Sequence, residues 1–359
     1  MKKINIDRAG IVVIGRNEGE RLRRCLESSL SESPRVIYVD SGSTDHSTLI
    51  AHELGADVVD LDMTKKFCAA RARNVGYEKL RKIFPDCEFV QFIDGDCEFY
   101  HGWLKNAVDA FMQKPDVAIV AGHLSEKDPS YSIYNRLAEL EWNFDGCGEV
   151  NSVGGIFMIR RSSFDMVSGF DSSVAAGEEP ELCNRLTENG WKIIRLASDM
   201  AIHDLAMTNF RQWWIRQVRG GYGGLDVAQR FGLKSFVRNS QRARIWGLWL
   251  LLSLLLTVFL LFADFPENLK APGLIFIGLW PLQLIRIAFR TWRKGESVST
   301  AVLYAWFTMV SFWPQIIGQM YYLLDKVKHR HHRLIEYKKT EAGIPDDMKG
   351  STKGNNNGS

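Results

Sequence analysis

From residue 11 to residue 203 the chain alternates short β-branched runs with amphipathic stretches, and few folds accept that rhythm. Ile11-Val12-Val13-Ile14, Val36-Ile37-Tyr38-Val39, Ala56-Asp57-Val58-Val59-Asp60 and Phe89-Val90-Gln91-Phe92-Ile93 read as strands. Leu22, Cys25, Leu26 and Leu30 form an apolar helical stripe between the first two, and residues 69–82 carry a later helix. This alternation predicts an α/β fold, a Rossmann-like and mostly parallel sheet flanked by helices. In such a sheet the ligand crevice lies at the C-terminal ends of the strands. There the chain turns polar, with Gly15-Arg16-Asn17-Glu18-Gly19, Asp40-Ser41-Gly42-Ser43-Thr44-Asp45 and Asp94-Gly95-Asp96.

Asp94 and Asp96 leave an apolar strand separated by a glycine that permits a sharp turn. Two hard oxygen ligands there suit Mg²⁺ or Mn²⁺, although the triplet alone is also ordinary turn chemistry. Ser43 or Thr44 is placed to cap the second helix. Downstream, residues 103–111 and 134–142 read as helices around a strand at 117–122. Gly154-Gly155 precedes another strand, where a ligand or backbone can approach closely. Glu178-Glu179-Pro180-Glu181-Leu182 opens a helix with Leu182 and Leu186 inward and two carboxylates at its mouth. Several function classes drop out. The first loop is not Gly-x-Gly-x-x-Gly and no Walker loop occurs, so dehydrogenase and P-loop readings fail. A net charge of +3 gives no argument for nucleic acid. Six cysteines without a Cys-x-x-Cys pair support neither a cysteine metal site nor a disulfide framework.

The apolar residues are unevenly spread. An uncharged, Leu-rich run over 246–262 is long enough to span a bilayer, and 274–288 and 301–324 are two further apolar segments. Pro281 and Arg286 weaken the second, and Pro314 and Gly318 interrupt the third. The expected division is a soluble domain over 1–235, a membrane region over 236–335 with two or three apolar helices, and a compositionally disordered tail over 336–359. The first eight residues lack a signal peptide's apolar core, so the expectation is a cell inner-membrane protein with its soluble domain in the cytoplasm. The basic run from Lys326 to Arg333 prefers the cytoplasm as well, whereas three full crossings would carry it outside. An even number of crossings requires one apolar segment to be re-entrant or interfacial. Arginines and tryptophans at 211–219 fit an interfacial position, and the glycines at 220, 221, 223 and 224 read as a mobile loop.

In order along the chain, Ile14 to Glu18, Asp40 to Asp45, Arg73-Asn74-x-Gly76, Asp94-Gly95-Asp96, Gly154-Gly155 and Glu178-Glu179-x-Glu181-Leu182 resemble family 2 glycosyltransferases with the A-type glycosyltransferase fold. The resemblance covers residues 8–205, and the ordered set is far more specific than any one motif. It implies a nucleotide-diphosphate sugar donor, a UDP-sugar in most members, with Asp40 reading the base. Ser41 stands where many members have a second acid, which leaves the nucleobase open. Asn17 and Glu18 would line the same pocket or cap the helix that follows, while Arg71 or Arg73 would reach the diphosphate or lie on a solvated face. Asp96 would ligate the divalent ion, with Asp94 nearer the ribose and His203 completing the coordination. Gly154 and Gly155 would border the substrate, and Glu178 would lie beside it or simply complement the helix dipole. Glu179 matches the general base of inverting members, with Glu-Glu in place of the usual Glu-Asp.

The reading is a membrane-anchored, inverting, metal-dependent glycosyltransferase, moving one sugar onto a lipid-linked glycan in surface polysaccharide assembly. A processive polysaccharide synthase is the first rival. Polymerising relatives carry Gln-x-x-Arg-Trp, whereas Gln212 is followed three places on by Ile215 and Gln217 by Gly220. A catalytically silent scaffold that binds nucleotide sugar is the second.

Overall fold

The computed structural model describes residues 8–328 except 66, 144–145, 175 and 263–266. The first half runs β1 (Ala9–Gly15), α1 (Glu20–Glu32), β2 (Val36–Asp40), α2 (Ser47–Glu53), β3 (Asp57–Asp60), α3 (Ala69–Ile83), β4 (Phe89–Asp94), β5 (Cys97–Phe99) and α4 (Trp103–Gln113). It continues through β6 (Val117–Glu126), α5 (Ile133–Trp142), β7 (Gly148–Glu149), β8 (Phe157–Arg160), α6 (Arg161–Met166), α7 (Glu178–Glu188) and β9 (Lys192–His203). Four long helices follow: α8 (Phe210–Phe231), α9 (Lys234–Phe262), α10 (Glu267–Trp292) and α11 (Val298–Val327).

The strands form one sheet in the order β3-β2-β1-β4-β8-β6-β9-β5, with β7 also paired to β9. β3, β2, β1 and β4 are mutually parallel, as the strand–helix rhythm requires. Beyond β4 the sheet is mixed: β8 is antiparallel to β4 and β6, β9 is parallel to β6, and β5 is antiparallel to β9. β1 and β4 are buried on both faces, which is why both read as continuous apolar runs. Phe92, Phe157, Phe164 and Phe170 pack under the strand ends with several ring centroids 5.4–5.6 Å apart. Truncating a buried ring such as Phe92 costs about 3–5 kcal/mol, so this cluster is a stiff floor for whatever lies above.

The Arg73-Asn74-x-Gly76 pattern has a mechanical explanation. A Cβ on Gly76 would collide with Val12 and come within 2.9 Å of Val39, so α3 lies directly on β1 and β2. Asn74 then clasps the backbone of Phe170, with Nδ2 donating to its carbonyl at 2.8 Å and Oδ1 accepting from its N–H at 3.0 Å. Together these contacts push Arg73 to the strand ends.

Two expectations are corrected. The second helix begins at Ser47 without a side-chain cap, because Ser43 instead serves the loop beside it. The glycines at 220, 221, 223 and 224 lie inside α8, which starts with a capping box of Asn209 and Gln212. Two of them permit close packing in place of a mobile loop: a Cβ on Gly221 would strike the backbone of Gln315, and one on Gly223 would strike Ala176.

α11 runs alongside α8 in the same direction. Trp213 meets Phe307 with ring centroids 4.9 Å apart, Gln315 donates to Gln217 at 3.2 Å, Tyr222 donates to Asp325 at 3.2 Å, and Lys326 donates to Gln229 at 2.7 Å. A Cβ on Gly318 would strike the Val218 carbonyl, so the two helices touch backbone to backbone. The helix continues through Pro314. Among the described residues α11 is the helix long and apolar enough to cross a membrane, and 39% of its apolar window is buried inside the protein. The disordered-tail assignment for 336–359, residues 329–333 of the basic run and residues 1–7 lie outside the described residues.

Candidate active site

A cleft of about 590 Å³ opens at the C-terminal ends of β1, β2 and β4, between the sheet and α8. Asn17, Glu18, Arg73, Asp94, Asp96, Gly155, Glu178, Glu179 and His203 all line it. Sequence separations of up to 186 residues are therefore closed by the fold.

Arg73, with 2% of its side chain exposed, is the hub of one wall. Nη1 donates to Glu178 Oε1 and Glu179 Oε1, and Nη2 donates to Asp94 Oδ1, each at 3.0 Å. Gly155 makes this possible, because a Cβ there would strike Nη2 and come within 3.2 Å of both Asp94 and Glu179. Gly154, by contrast, has open space around it. One cation among three carboxylates leaves excess negative charge. Burial and the neighbouring Glu178 push the Glu179 carboxyl up to about 7, against the opposing pull of Arg73. A carboxyl that exchanges its proton near neutrality is suited to general base work.

Asp96 looks the other way. Gly95 donates to the Ile14 carbonyl at 2.8 Å, and the turn sends β5 to pair with β9, setting Cys97 opposite His203. Asp96 Oδ2 stands 3.3 Å from His203 Nε2, and the ligand atoms of Asp96, Cys97 and His203 lie within 4.8 Å of one another. Behind the ring, Nδ1 faces Glu126 Oε2 at 3.6 Å, and Trp142 crosses it edge-on with centroids 4.7 Å apart. Glu126 Oε1 accepts from Asn135 Nδ2 at 3.0 Å, which fixes the carboxylate. A carboxylate oxygen and an imidazole nitrogen that converge in this way form a donor set that fits a divalent ion.

The loops after β1 and β2 lock together. Asn17, at φ 55°, accepts from the Thr44 N–H at 2.7 Å, and its own N–H donates to Ser43 Oγ at 2.9 Å. Asp40 is 4% exposed and accepts from Tyr38 Oη, Ser43 Oγ and the N–H groups of Gly42 and Ser43 at 2.6–3.0 Å. Its neighbour Ser41 lines the cleft. Arg71 donates to the Asp62 carbonyl at 2.5 Å and is not among the cleft-lining residues. Sequence reasoning missed Cys97, Glu126 and the α8 residues Arg216, Gln217 and Arg219. Nothing local marks Glu126, since β6 runs four residues past the apolar pattern that defines it.

Residues 10–167 match the model of the family described as glycosyl transferase family 2. The pre-mycofactocin glycosyltransferase of Mycobacterium tuberculosis is 29% identical over 233 residues, which cover 61% of this chain and 47% of that protein. The probable glucomannan 4-beta-mannosyltransferase 1 of Arabidopsis thaliana is 22% identical over 198 residues, 50% of this chain and 35% of that one. The chain thus spans about half the length, or less, of the curated relatives it matches. Among solved structures, the mannosyltransferase PcManGT from Pyrobaculum calidifontis, in complex with GDP-Man and Mn²⁺, superposes with a TM-score of 0.57 at 16% identity. That match covers 89% of this chain and 88% of the other, and it shows the shared fold. Residues 10–167, which hold most of the ordered motifs and the strands that gather them, are therefore similar to family 2 glycosyl transferases.

Proposed function

We propose that the chain is a membrane-anchored, inverting glycosyltransferase that moves one sugar from a nucleotide diphosphate donor to a hydroxyl of a lipid-linked glycan in surface polysaccharide assembly. The observation that carries this reading is a single cleft holding Asp96 against an imidazole and Glu179 against a guanidinium. Asp96 and His203 are the residues to hold Mn²⁺ or Mg²⁺, which when bound offsets charge on the departing nucleoside diphosphate. Glu179 takes the proton of the acceptor hydroxyl as that oxygen attacks the sugar carbon and the bond to the diphosphate breaks in line. Arg73 orients Glu179 and Asp94 through the same guanidinium, and Glu178 shares it. Asp40, whose oxygens are occupied within the turn, holds the loop at the nucleoside end, with Ser41, Asn17 and Glu18 lining the cleft there. Arg216 and Arg219 on the α8 wall are better placed for the diphosphate than Arg71.

The membrane part of the reading rests on exposed apolar surface. Leu248, Leu251, Leu252, Leu254, Leu255, Val258 and Phe259 of α9 and Leu279, Leu282 and Ile285 of α10 are all exposed. A hairpin of these two helices enters and leaves the bilayer, keeping the two ends on one side. α11, although long and apolar enough to cross, belongs at the interface in this reading, because contacts from Phe307 to Lys326 hold it along α8, whose Arg216 and Arg219 line the catalytic cleft. It lies at the interface, so the catalytic domain and the basic stretch beyond α11 share the cytoplasmic side. The test is a panel of nucleotide sugars offered to the purified full chain with a defined lipid-linked acceptor. Released nucleoside diphosphate and a single sugar increment by mass spectrometry are expected. A product ladder would favour the processive synthase, and no turnover of any donor would favour the silent scaffold.

A further inference from the structure

We propose that a basic pocket between α9 and α10 holds the phosphate of the lipid-borne acceptor, an inference that rests on the transferase reading above and gives its acceptor a binding site. Arg242, Trp246, Arg286, Arg290, Arg293 and Lys294 line a cavity of about 610 Å³, and no carboxylate is among its described lining residues. Five cations around one cavity give it a positive potential that attracts an anion, and guanidinium forks suit phosphate oxygens. The depth is right for a lipid head group. The exposed apolar residues of α9 begin at Ile245, beside Trp246, and those of α10 run on to Phe289 and Trp292, interleaved with Arg286, Arg290 and Arg293. Arg293 lies over the Phe289 ring at 6.0 Å, and such aromatic and cationic side chains collect at membrane–water boundaries. The pocket also leads somewhere. Arg242 lines a second cavity of about 220 Å³, whose other walls include Glu141 and Gln217, and both of those residues line the catalytic cleft. A phosphate held at Arg242 and Arg286 thus anchors an acceptor whose glycan follows this row of cavities, walled by polar and aromatic side chains, toward Glu179.

The test is equilibrium binding of radiolabelled farnesyl phosphate to the full chain in neutral phosphatidylcholine nanodiscs, with no donor present. Farnesyl phosphate should bind at least about tenfold more tightly than farnesol or inorganic phosphate, since the charged head and the chain both contribute. Arg286→Gln combined with Arg293→Gln should weaken it by about tenfold or more, with the thermal melt unchanged because both side chains are exposed. Arg286→Lys keeps the charge but loses the fork, and should fall between the two. Wild-type affinity in the double variant would overturn the pocket. Inorganic phosphate binding as tightly as farnesyl phosphate would overturn the lipid source. Equal competition by phosphatidylglycerol would reduce the cluster to general anchoring on anionic bilayers and overturn the acceptor assignment. Because donor is absent, the pocket can fail while nucleotide-sugar turnover holds, and the reverse.

Discussion

Asp94 and Asp96 are separated by one glycine, yet they stand in opposite electrostatic settings. On the Asp94 side one buried guanidinium is shared by three carboxylates, all at 3.0 Å. On the Asp96 side the described ion pair is with His203, a ring that carries charge only when protonated, and Glu126 stands behind it. The difference teaches that an acid's surroundings, burial first and neighbouring charge second, determine its chemistry more than its residue type does. Burial and the neighbouring Glu178, against the pull of Arg73, make Glu179 hold its proton close to neutral pH, whereas the ligand atoms of Asp96, Cys97 and His203 converge within 4.8 Å as a donor set that fits a divalent ion.

The sharpest way to break this comparison is at Glu179. Glu179→Gln keeps size and hydrogen bonding but removes the basic oxygen, so kcat should fall by about a hundred- to ten-thousandfold with donor binding retained. Its carboxyl is raised, so the charged, base-competent form predominates only above about 7. Wild-type kcat should therefore climb with pH through about 7 and level off above it. The Gln variant should lose that limb, and Glu178→Gln should cost far less. A normal kcat in Glu179→Gln, or a larger loss from Glu178→Gln, would remove Glu179 as the base.

On the other side of Gly95, Asp96→Asn should lower turnover by about a thousandfold, and excess chelator should abolish wild-type activity until Mn²⁺ or Mg²⁺ is restored. Mn²⁺ binding followed by electron paramagnetic resonance should weaken in this variant and hold in Glu179→Gln. Equal Mn²⁺ affinity in both would mean that the two walls are not chemically distinct. Removing the hub is next in size. Arg73→Leu leaves three carboxylates facing one another, so unfolding stability should drop by about 3–5 kcal/mol in a denaturant titration. Any activity left should have its pH limb moved upward, because the charge that lowers the Glu179 pKa is gone. The smallest effect is expected at Glu126, whose place behind His203 is that of an outer partner steadying a metal-binding ring. Glu126→Gln should weaken Mn²⁺ affinity by about ten- to a hundredfold while the protein melts normally. An unchanged affinity would leave Glu126 as a structural acid that merely anchors Asn135.

The parallel half of the sheet and the acidic strand end were legible in the chain because both are local patterns. A β-branched run buried on two faces looks the same wherever it occurs, and Asp94-Gly95-Asp96 needs only its own strand to be read. The helix from Glu178 was legible for the same reason, through its acidic first turn and Leu182 and Leu186. The glycines of α8 misled because glycine in isolation means freedom, whereas here each close approach needs a neighbour that arrives from far along the chain. Gly221 makes sense only once Gln315 is against it.

By itself, then, the sequence determined the strand–helix rhythm, the polar strand ends, the three apolar segments and the ordered acids that point to sugar transfer. Tertiary structure decided which of those acids share a cation. Arg73 reads as one arginine on a helix face until Gly76 presses α3 onto the sheet and Gly155 clears the space for its guanidinium. It also decided that β6 carries Glu126 past its apolar core to the back of His203, and that the third apolar segment is held along α8. Periodicity and propensity act over a few residues, within one turn or one pleat. Charge sharing, ring orientation and helix docking depend on distances between elements, and only the packed chain sets those.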